Sequence, residues 1–436
     1  MYFALTIGPL LSSLLFMLTA KRNRLLYNFF SLGAVQAISS LIQLIVIPYL
    51  ISKIGVDGFG VVAVAQVVMV ILSAFTDYGF NQTAIRDISL ARDDNKALST
   101  IFYRVLFSKL VLCFLAFILL LLLLFFIPSL QSHVLLYLMA FLFVVGQALL
   151  VNWFFHGIEK MQFAALLTLL SRVIFAVLVF GFIKRKSHAN LFLFFLGIGS
   201  FVAGIISIYT AHRMLSIRYI KPSIRDIGNE LKEGWHVMAA NLATYLCQYA
   251  NIFILRIFTN DLLVGYYSIA ERLFFTARHV LVVFSQAIYP QICQVVQEGK
   301  ESLILYLKRM YLPFFLCVFT GSLLMFIFSP QILSFFSGKE YHHSVFYLRM
   351  LSIAIVIICL NIPATLSLMA MMQKKKYFMI ITLGLTVNIC SNFLLVNFFE
   401  AKGTVMAVLI TEIFIMTGLN LRLYRNLRSQ NVLTPA

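Results

Sequence analysis

The chain contains a long series of apolar stretches, each about as long as the hydrocarbon core of a bilayer is thick. Because a helix rises 1.5 Å per residue, about 20 apolar residues are needed to cross roughly 30 Å of hydrocarbon. With 61% hydrophobic and 11% charged residues, a soluble chain could not cover its surface with polar groups. We predict an all-α polytopic membrane protein with twelve spans, at Phe29–Ile51, Gly58–Phe80, Val105–Ile127, Val134–Phe155, Phe163–Ile183, Leu191–Ala211, Trp235–Phe258, Leu262–Pro290, Tyr311–Phe328, Phe346–Met371, Phe378–Phe399 and Gly403–Tyr424.

The basic residues predict the orientation of these spans, because short loops rich in Lys and Arg stay in the cytoplasm. An even number of spans, with Lys21–Arg24 inside, puts both termini in the cytoplasm. The predicted inner loops include Arg86, Arg104 and Lys109, whereas the basic loop Lys184–Lys186 falls outside and departs from the rule. The net charge of +18 therefore suits anionic lipid headgroups and gives no sign of a nucleic-acid partner.

The longest polar stretch separates six spans from six. It carries Pro222, several charges and Gly228, which is expected to break a helix, and is typical of a cytoplasmic linker. We therefore expect an N-terminal six-helix lobe at residues 21–211, a linker at 212–234, a C-terminal six-helix lobe at 235–425 and a cytoplasmic tail at 426–436.

The two halves are similar near their starts, where Gly58–Gln66 matches Leu263–Glu271 in part. Gly60 aligns with Gly265, and Gln66 aligns with Glu271. Equal topology in both halves predicts repeats related by an axis along the membrane normal, with a central cavity between the lobes.

Residues 1–20 are hydrophobic but lack the basic start and cleavage site of a signal peptide. A thirteenth span, a re-entrant segment and a mis-assigned start are all compatible with them. A true start at Met17, just before Lys21–Arg24, fits best.

Five charged side chains lie deep in predicted spans, where each costs at least about 2.5–3.5 kcal/mol unless it faces water or a partner. Arginine suits phosphate because its planar fork donates two parallel hydrogen bonds and stays charged. We therefore expect Arg172, Arg272 and Arg278 to line the cavity and bind an anionic substrate. Glu271 and Glu412 are candidates for coupling to a proton or sodium ion, and they fit equally well as fixed partners of the arginines.

Neutral amides also lie at membrane depth, where they either bind sugars or join helices, and the second role is the commoner one. They are Gln43, Gln66, Asn152, Asn241, Gln248, Asn251, Asn388 and Asn392. The six cysteines have no metal or redox spacing. No metal site and no cofactor are expected.

Several strings resemble Wzx-type polysaccharide or O-antigen flippases of the multidrug/oligosaccharidyl-lipid/polysaccharide exporter superfamily. The most specific is Asp77–Ile88, and Asn152–Met161 and Gly265–Arg272 are also similar. The resemblance implies transfer of an undecaprenyl-pyrophosphate-linked oligosaccharide to the outer leaflet of the bacterial inner membrane by alternating access. It also implies that Arg86 lies at the inner mouth, where it either meets the diphosphate or is simply a surface arginine near headgroups. A polymerase and chain-length proteins of the same pathway are the implied protein partners.

Two other functions are less compatible with the residues. A polyprenyl-dependent glycosyltransferase or O-antigen polymerase would need paired carboxylates or a large outer loop, and the predicted outer loops are short. A multidrug exporter of the same superfamily would favour an acidic cavity for cations, and this predicted interior is net basic. We therefore expect a transporter without covalent chemistry.

Overall fold

The structure, a computed structural model, describes residues 45–430 except 93, 216, 338–341 and 372, together with the isolated positions 38 and 42. This part of the chain is helical and contains no strand, which confirms the all-α class. Eight of its helices are long and apolar enough to cross a membrane, so the protein is a multi-pass membrane protein. One of them, Lys300–Ile327, leaves most of its apolar side chains exposed, as contact with lipid requires.

Within residues 45–430 the described helices follow one another, most of them with short connections. Helix α1 covers residues 45–77. The others are α2 Phe80–Leu90, α3 Asn95–Phe126, α4 Pro128–Gln131, α5 Val134–Leu149, α6 Asn152–Gly157, α7 Met161–Phe182, α8 Ala189–Leu215, α9 Ile224–Phe258, α10 Asp261–Glu298, α11 Lys300–Tyr306, α12 Leu312–Ile327, α13 Ser329–Ser337, α14 His342–Ala370 and α15 Lys374–Gln430. A 3₁₀ turn, Lys186–His188, precedes α8, and a π-helical turn, Leu307–Tyr311, precedes α12.

Helices α1 and α15 are longer than one membrane crossing requires, and each contains a residue with positive φ. Gly55 in α1 has φ +81°, and Glu400 in α15 has φ +50°. A left-handed residue interrupts the helical path, so each long element consists of two helices joined at a sharp turn. Both turns fall between predicted spans, at 52–57 and 400–402.

The predicted spans after the first fall largely on helical residues of the structure, but α3 and α9 begin about ten residues before their predicted spans, and α10 ends several residues beyond its own. Most of the first, Phe29–Ile51, and all of residues 1–20 lie outside the described residues. The count of twelve and the two-lobe arrangement therefore stay predictions.

The chain forms two compact units. One contains Met69–Ile183 and Asn190–Leu242, and the other contains Ile47–Val68, Lys184–Ala189 and the chain from Ala243 onwards. Helix α9 thus begins in the first unit and continues into the second. The predicted division into lobes at residues 212–234 stays a prediction.

The core of the first unit joins two of the motifs that carry the family resemblance. Helix α2 packs on α6 so closely that a Cβ atom on Gly157 would lie 2.6 Å from the Ile88 side chain. The Gly157 carbonyl accepts hydrogen bonds from Ser89 Oγ and from Arg92, both at 3.2 Å. The motifs Asp77–Ile88 and Asn152–Met161 therefore specify one packed structure at one end of this unit.

The segment predicted as a linker is packed and largely helical, and the prediction that Gly228 breaks a helix is wrong. Gly228 lies inside α9. Before α9, the Ile217 side chain is buried in the core of the first unit, and the Arg218 amide donates to Ser99 Oγ at 3.1 Å. Glu230 is buried and forms an ion pair with Arg104 of α3. Tertiary contacts thus outweigh the weak helix propensity of one glycine.

Helix α9 begins with a reciprocal cap. Asp226 accepts hydrogen bonds from the backbone N–H of Ser223 at 2.9 Å and from its hydroxyl at 2.6 Å. The Asp226 amide in turn donates to Ser223 Oγ at 3.1 Å. This is a capping box, and the two hydrogen bonds from Ser223 hold the pKa of Asp226 below its ordinary value.

Candidate functional site

Helices α1 and α10 of the second unit contact each other through their backbones. A Cβ atom on Gly60 would lie 1.8 Å from the Asp261 carbonyl oxygen, and one on Gly265 would lie 2.1 Å from the Val56 carbonyl oxygen. No side chain fits at these distances, so both positions require glycine. They are the two glycines that align in the predicted repeat.

The approach of the two helices brings Arg272 onto α1. Arg272 lies about 10 Å along α10 from Gly265. Its Nη2 atom donates a hydrogen bond to Gln66 Oε1, and its guanidinium carbon lies 5.8 Å from the centroid of the Phe59 ring. Phe59 is fully buried. The guanidinium is therefore held by an amide and an aromatic face.

Glu271, next to Arg272, is almost completely buried, with 4% exposed. Tyr267, one turn earlier on α10, interacts through its side chain with both Glu271 and Asn251 of α9. Asn392 of α15 donates to Asn251 Oδ1 at 2.7 Å. A chain of polar groups thus runs from Glu271 through α9 to α15.

We refer to Gln66, Asn251, Tyr267, Glu271, Arg272 and Asn392 as the α10 cluster. Every member belongs to the second unit. Polar side chains compensate the adjacent carboxylate and guanidinium, because Gln66 of α1 contacts Arg272, and Tyr267, which also interacts with Asn251 of α9, contacts Glu271.

Arg278 and Glu412 lie in a second group of polar residues in the same unit. Glu412 of α15 accepts from Asn361 Nδ2 of α14 at 3.4 Å, and its charge interacts with that of Arg278. Asn388 donates to Thr411 Oγ1 at 3.2 Å beside them. Each glutamate of the predicted site therefore has an arginine near it.

The remaining predicted site residues belong to the first unit and lie on different helices. Arg172 is half-buried on α7, and Arg86 is exposed on α2. Among the predicted site residues, the structure groups Arg272 with Glu271 and Arg278 with Glu412. Among the described residues, no three His, Cys, Asp or Glu side chains come together as a metal site.

The described membrane amides contact groups on other helices. Besides those above, Asn152 donates to Thr168 Oγ1 at 3.3 Å, and Asn241 lies 3.5 Å from the Gln82 amide. Gln43 lies outside the described residues, and so does the side chain of Gln248. These contacts favour the role of joining helices.

Two basic residues lie in a helix where the sequence predicted a loop. Lys109 and Arg104 were expected in an inner loop, but both lie within α3. Lys109 is 3% exposed and donates to Asp77 Oδ1 at 2.9 Å, while Asp77 Oδ2 accepts from Asn81 at 2.8 Å. The sequence did indicate that Lys109 is buried, because this residue falls inside the predicted span Val105–Ile127.

Comparison with known proteins identifies a protein family whose model matches this chain and two similar proteins. The model of the family described as Polysaccharide biosynthesis protein matches residues 25–296. A protein of Shigella dysenteriae named "Putative O-antigen transporter" is 28% identical over 401 residues, covering 89% of this chain and 97% of that one. A protein of Escherichia coli (strain K12) with the same name is 27% identical over 401 residues, covering 92% and 96%.

Two solved structures with a similar fold are a lipid flippase and a multidrug transporter. The lipid II flippase MurJ, in an inward closed conformation, has a TM-score of 0.73 at 15% identity, covering 90% of this chain and 87% of that one. A MATE family multidrug resistance transporter of the MOP superfamily, in an inward-facing conformation, has a TM-score of 0.70 at 15% identity, covering 91% and 96%. At this identity the likeness concerns the fold alone.

Proposed function

Because the chain belongs to the family described as Polysaccharide biosynthesis protein, we propose that it is a flippase for a lipid-linked oligosaccharide. Its substrate is an undecaprenyl-pyrophosphate-linked unit of O-antigen or a related surface polysaccharide. Alternating access carries this unit from the inner to the outer leaflet of the bacterial inner membrane. The two relatives named as O-antigen transporters and the fold shared with a lipid II flippase support this function.

The observation that carries the proposal is the presence of Arg272 and Arg278 on one helix, α10, each beside an acidic or amide side chain. A diphosphate brings negative charge into the membrane, and guanidinium groups bind phosphate oxygens through charge-assisted hydrogen bonds. Arg272 and Arg278 are the proposed diphosphate ligands in the second unit. Arg172 and Arg86 are the proposed substrate-contacting residues of the first.

The two glutamates take different roles in this proposal. Glu271, in the polar chain through Tyr267 and Asn251, is the group that exchanges a proton or sodium ion during transport. Glu412 balances the charge of Arg278. In both assignments the glutamate lies beside a polar or charged group, which lowers the cost of placing a carboxylate inside a membrane.

The location and partners follow from the same function. We place both termini in the cytoplasm and the lipid bilayer on all sides of the apolar helices. A polymerase and chain-length proteins would take over the oligosaccharide once it reaches the outer leaflet. The protein forms and breaks no covalent bond, so the proposal contains no catalytic residue and no cofactor.

Complementation of a strain that lacks its own flippase tests this function. The unaltered chain is expected to restore surface polysaccharide, whereas Arg172→Ala, Arg272→Ala and Arg278→Ala lose it at unchanged protein level in the membrane. Arg425→Ala, at an exposed position near the end of α15, is the matched control and keeps full activity. Full surface polysaccharide in all three arginine variants would show that the residue assignment is wrong.

A further inference from the structure

The contacts of Arg272 suggest a role for a residue that the sequence placed among the helix-joining amides. Gln66 lies 206 residues away from Arg272 in the chain and on a different helix, yet its side-chain oxygen accepts a hydrogen bond from the guanidinium. This hydrogen bond uses an N–H group of Nη2, and the guanidinium has further N–H donors that take no part in it. Phe59 lies against the same group.

The position of Gln66 is fixed by the backbone contact between α1 and α10. At Gly60 and Gly265 the two helices lie so close together that neither position can accommodate a Cβ atom. Gln66 lies less than two turns beyond Gly60, and Arg272 lies two turns beyond Gly265. The length of a glutamine side chain therefore matches the gap at the level of Arg272.

The chemistry at position 66 also decides how much charge Arg272 presents. In the predicted repeat, Gln66 occupies the position that Glu271 occupies in the second half. A carboxylate at position 66 would form an ion pair with Arg272 and cancel most of its charge in a site of low polarity. Glu271 already places one carboxylate beside Arg272, and an amide at position 66 orients the guanidinium without adding a second negative charge.

We infer that Gln66 is a positioning residue for Arg272, which holds the guanidinium on α1 without neutralising it and so makes Arg272 a binding group for a polyprenyl diphosphate. Phe59 contributes to the same positioning by contact with the guanidinium face. This inference rests on the proposed function, because Arg272 is there a diphosphate ligand.

Binding of farnesyl diphosphate to the purified full-length protein in detergent tests the inference. Gln66→Met keeps the length but loses the acceptor, so the dissociation constant is expected to rise by about tenfold, the effect of one hydrogen bond to a charged group. Gln66→Glu keeps the acceptor but pairs with the charge, and it is expected to weaken binding more than Gln66→Met does.

Thermal stability separates positioning from simple helix joining. Gln66→Glu retains or strengthens the link between α1 and α10, so its unfolding temperature is expected to stay level or rise while affinity falls. A residue that only joins helices would change affinity and stability in the same direction. Gln147→Met is the matched control, since Gln147 is a membrane amide of the first unit that donates to Ser200 Oγ at 3.2 Å. It should leave affinity unchanged.

Variants in the Arg272→Ala background separate the role of Gln66 from that of Arg272. If Gln66 acts through Arg272, adding Gln66→Met to Arg272→Ala changes the affinity no further. Weaker binding by Arg272→Ala with normal binding by Gln66→Met and Gln66→Glu overturns the positioning role alone. Unchanged binding by Arg272→Ala overturns the diphosphate assignment of Arg272 and the inference with it. If Gln66→Met is not recovered folded, Gln66→Glu decides, and unchanged affinity in that variant overturns the inference.

Discussion

The buried ion pair of the first unit, Lys109–Asp77, allows a quantitative test of how a buried charge is stabilised. The two side chains differ in exposure, because Lys109 is 3% exposed and Asp77 is 26% exposed. Removing one partner of a buried pair costs about 3–5 kcal/mol when the charge that remains is buried. Only the loss of Asp77 leaves such a charge behind.

We therefore expect unequal effects from the two single substitutions. Asp77→Asn is expected to lower the free energy of unfolding by about 3–5 kcal/mol, because Lys109 stays buried next to a neutral amide. Lys109→Met is expected to cost only about 1 kcal/mol, because Asp77 keeps contact with solvent and its hydrogen bond from Asn81. The double variant contains neither charge and should be more stable than Asp77→Asn alone.

The measurement is reversible unfolding of the full-length protein in mixed micelles, followed by tryptophan fluorescence. Trp153 is completely buried in the first unit and reports on its core. Lys96→Met, at an exposed position of the same helix α3, is the control and should leave the unfolding free energy unchanged. Equal losses from the two single substitutions, or a double variant as unstable as Asp77→Asn, would refute the reasoning from burial.

Three further outcomes follow from individual contacts. Gly60→Ala should lower the unfolding temperature, since the backbone contact must open at a cost of about 1–3 kcal/mol, whereas Gly181→Ala, with nothing within 4 Å, should have little effect. Glu230→Gln should destabilise the first unit by about 1–3 kcal/mol by removing the buried partner of Arg104; an unchanged unfolding curve would contradict this. Asp226→Asn should speed hydrogen exchange in the first turn of α9 at neutral pH. Because the pKa of Asp226 is below its ordinary value of 3.8, the carboxylate stabilises the cap above that pH. The difference from the variant should therefore disappear only as the pH falls through the lowered pKa.

The positions of most helices could be predicted from sequence because a membrane span is a local property. About 20 apolar residues satisfy their own backbone hydrogen bonds in a helix and need no distant partner to be recognised. The turns at Gly55 and Glu400 were located for the same reason, since polar residues interrupt the apolar stretches there. The family resemblance, carried by short local strings, is confirmed by the match to residues 25–296.

Errors arose where a local signal competed with distant contacts. Gly228 signals a helix end, yet α9 continues through it because Glu230 and Ile217 are anchored in the first unit. Lys109 signals a cytoplasmic loop, yet it is buried because Asp77, 32 residues earlier, neutralises it. A single sequence does not reveal such compensation.

The sequence by itself determined that this chain crosses a membrane many times and which charged residues fall within its apolar stretches, because span length and charge position are read along the chain. It also aligned Gly60 with Gly265. Only the tertiary structure decided that these glycines touch and that Gln66 meets Arg272. Side chains separated by 206 residues are brought together by helix packing, which depends on the shapes of whole helix surfaces and leaves no periodic signal in the sequence.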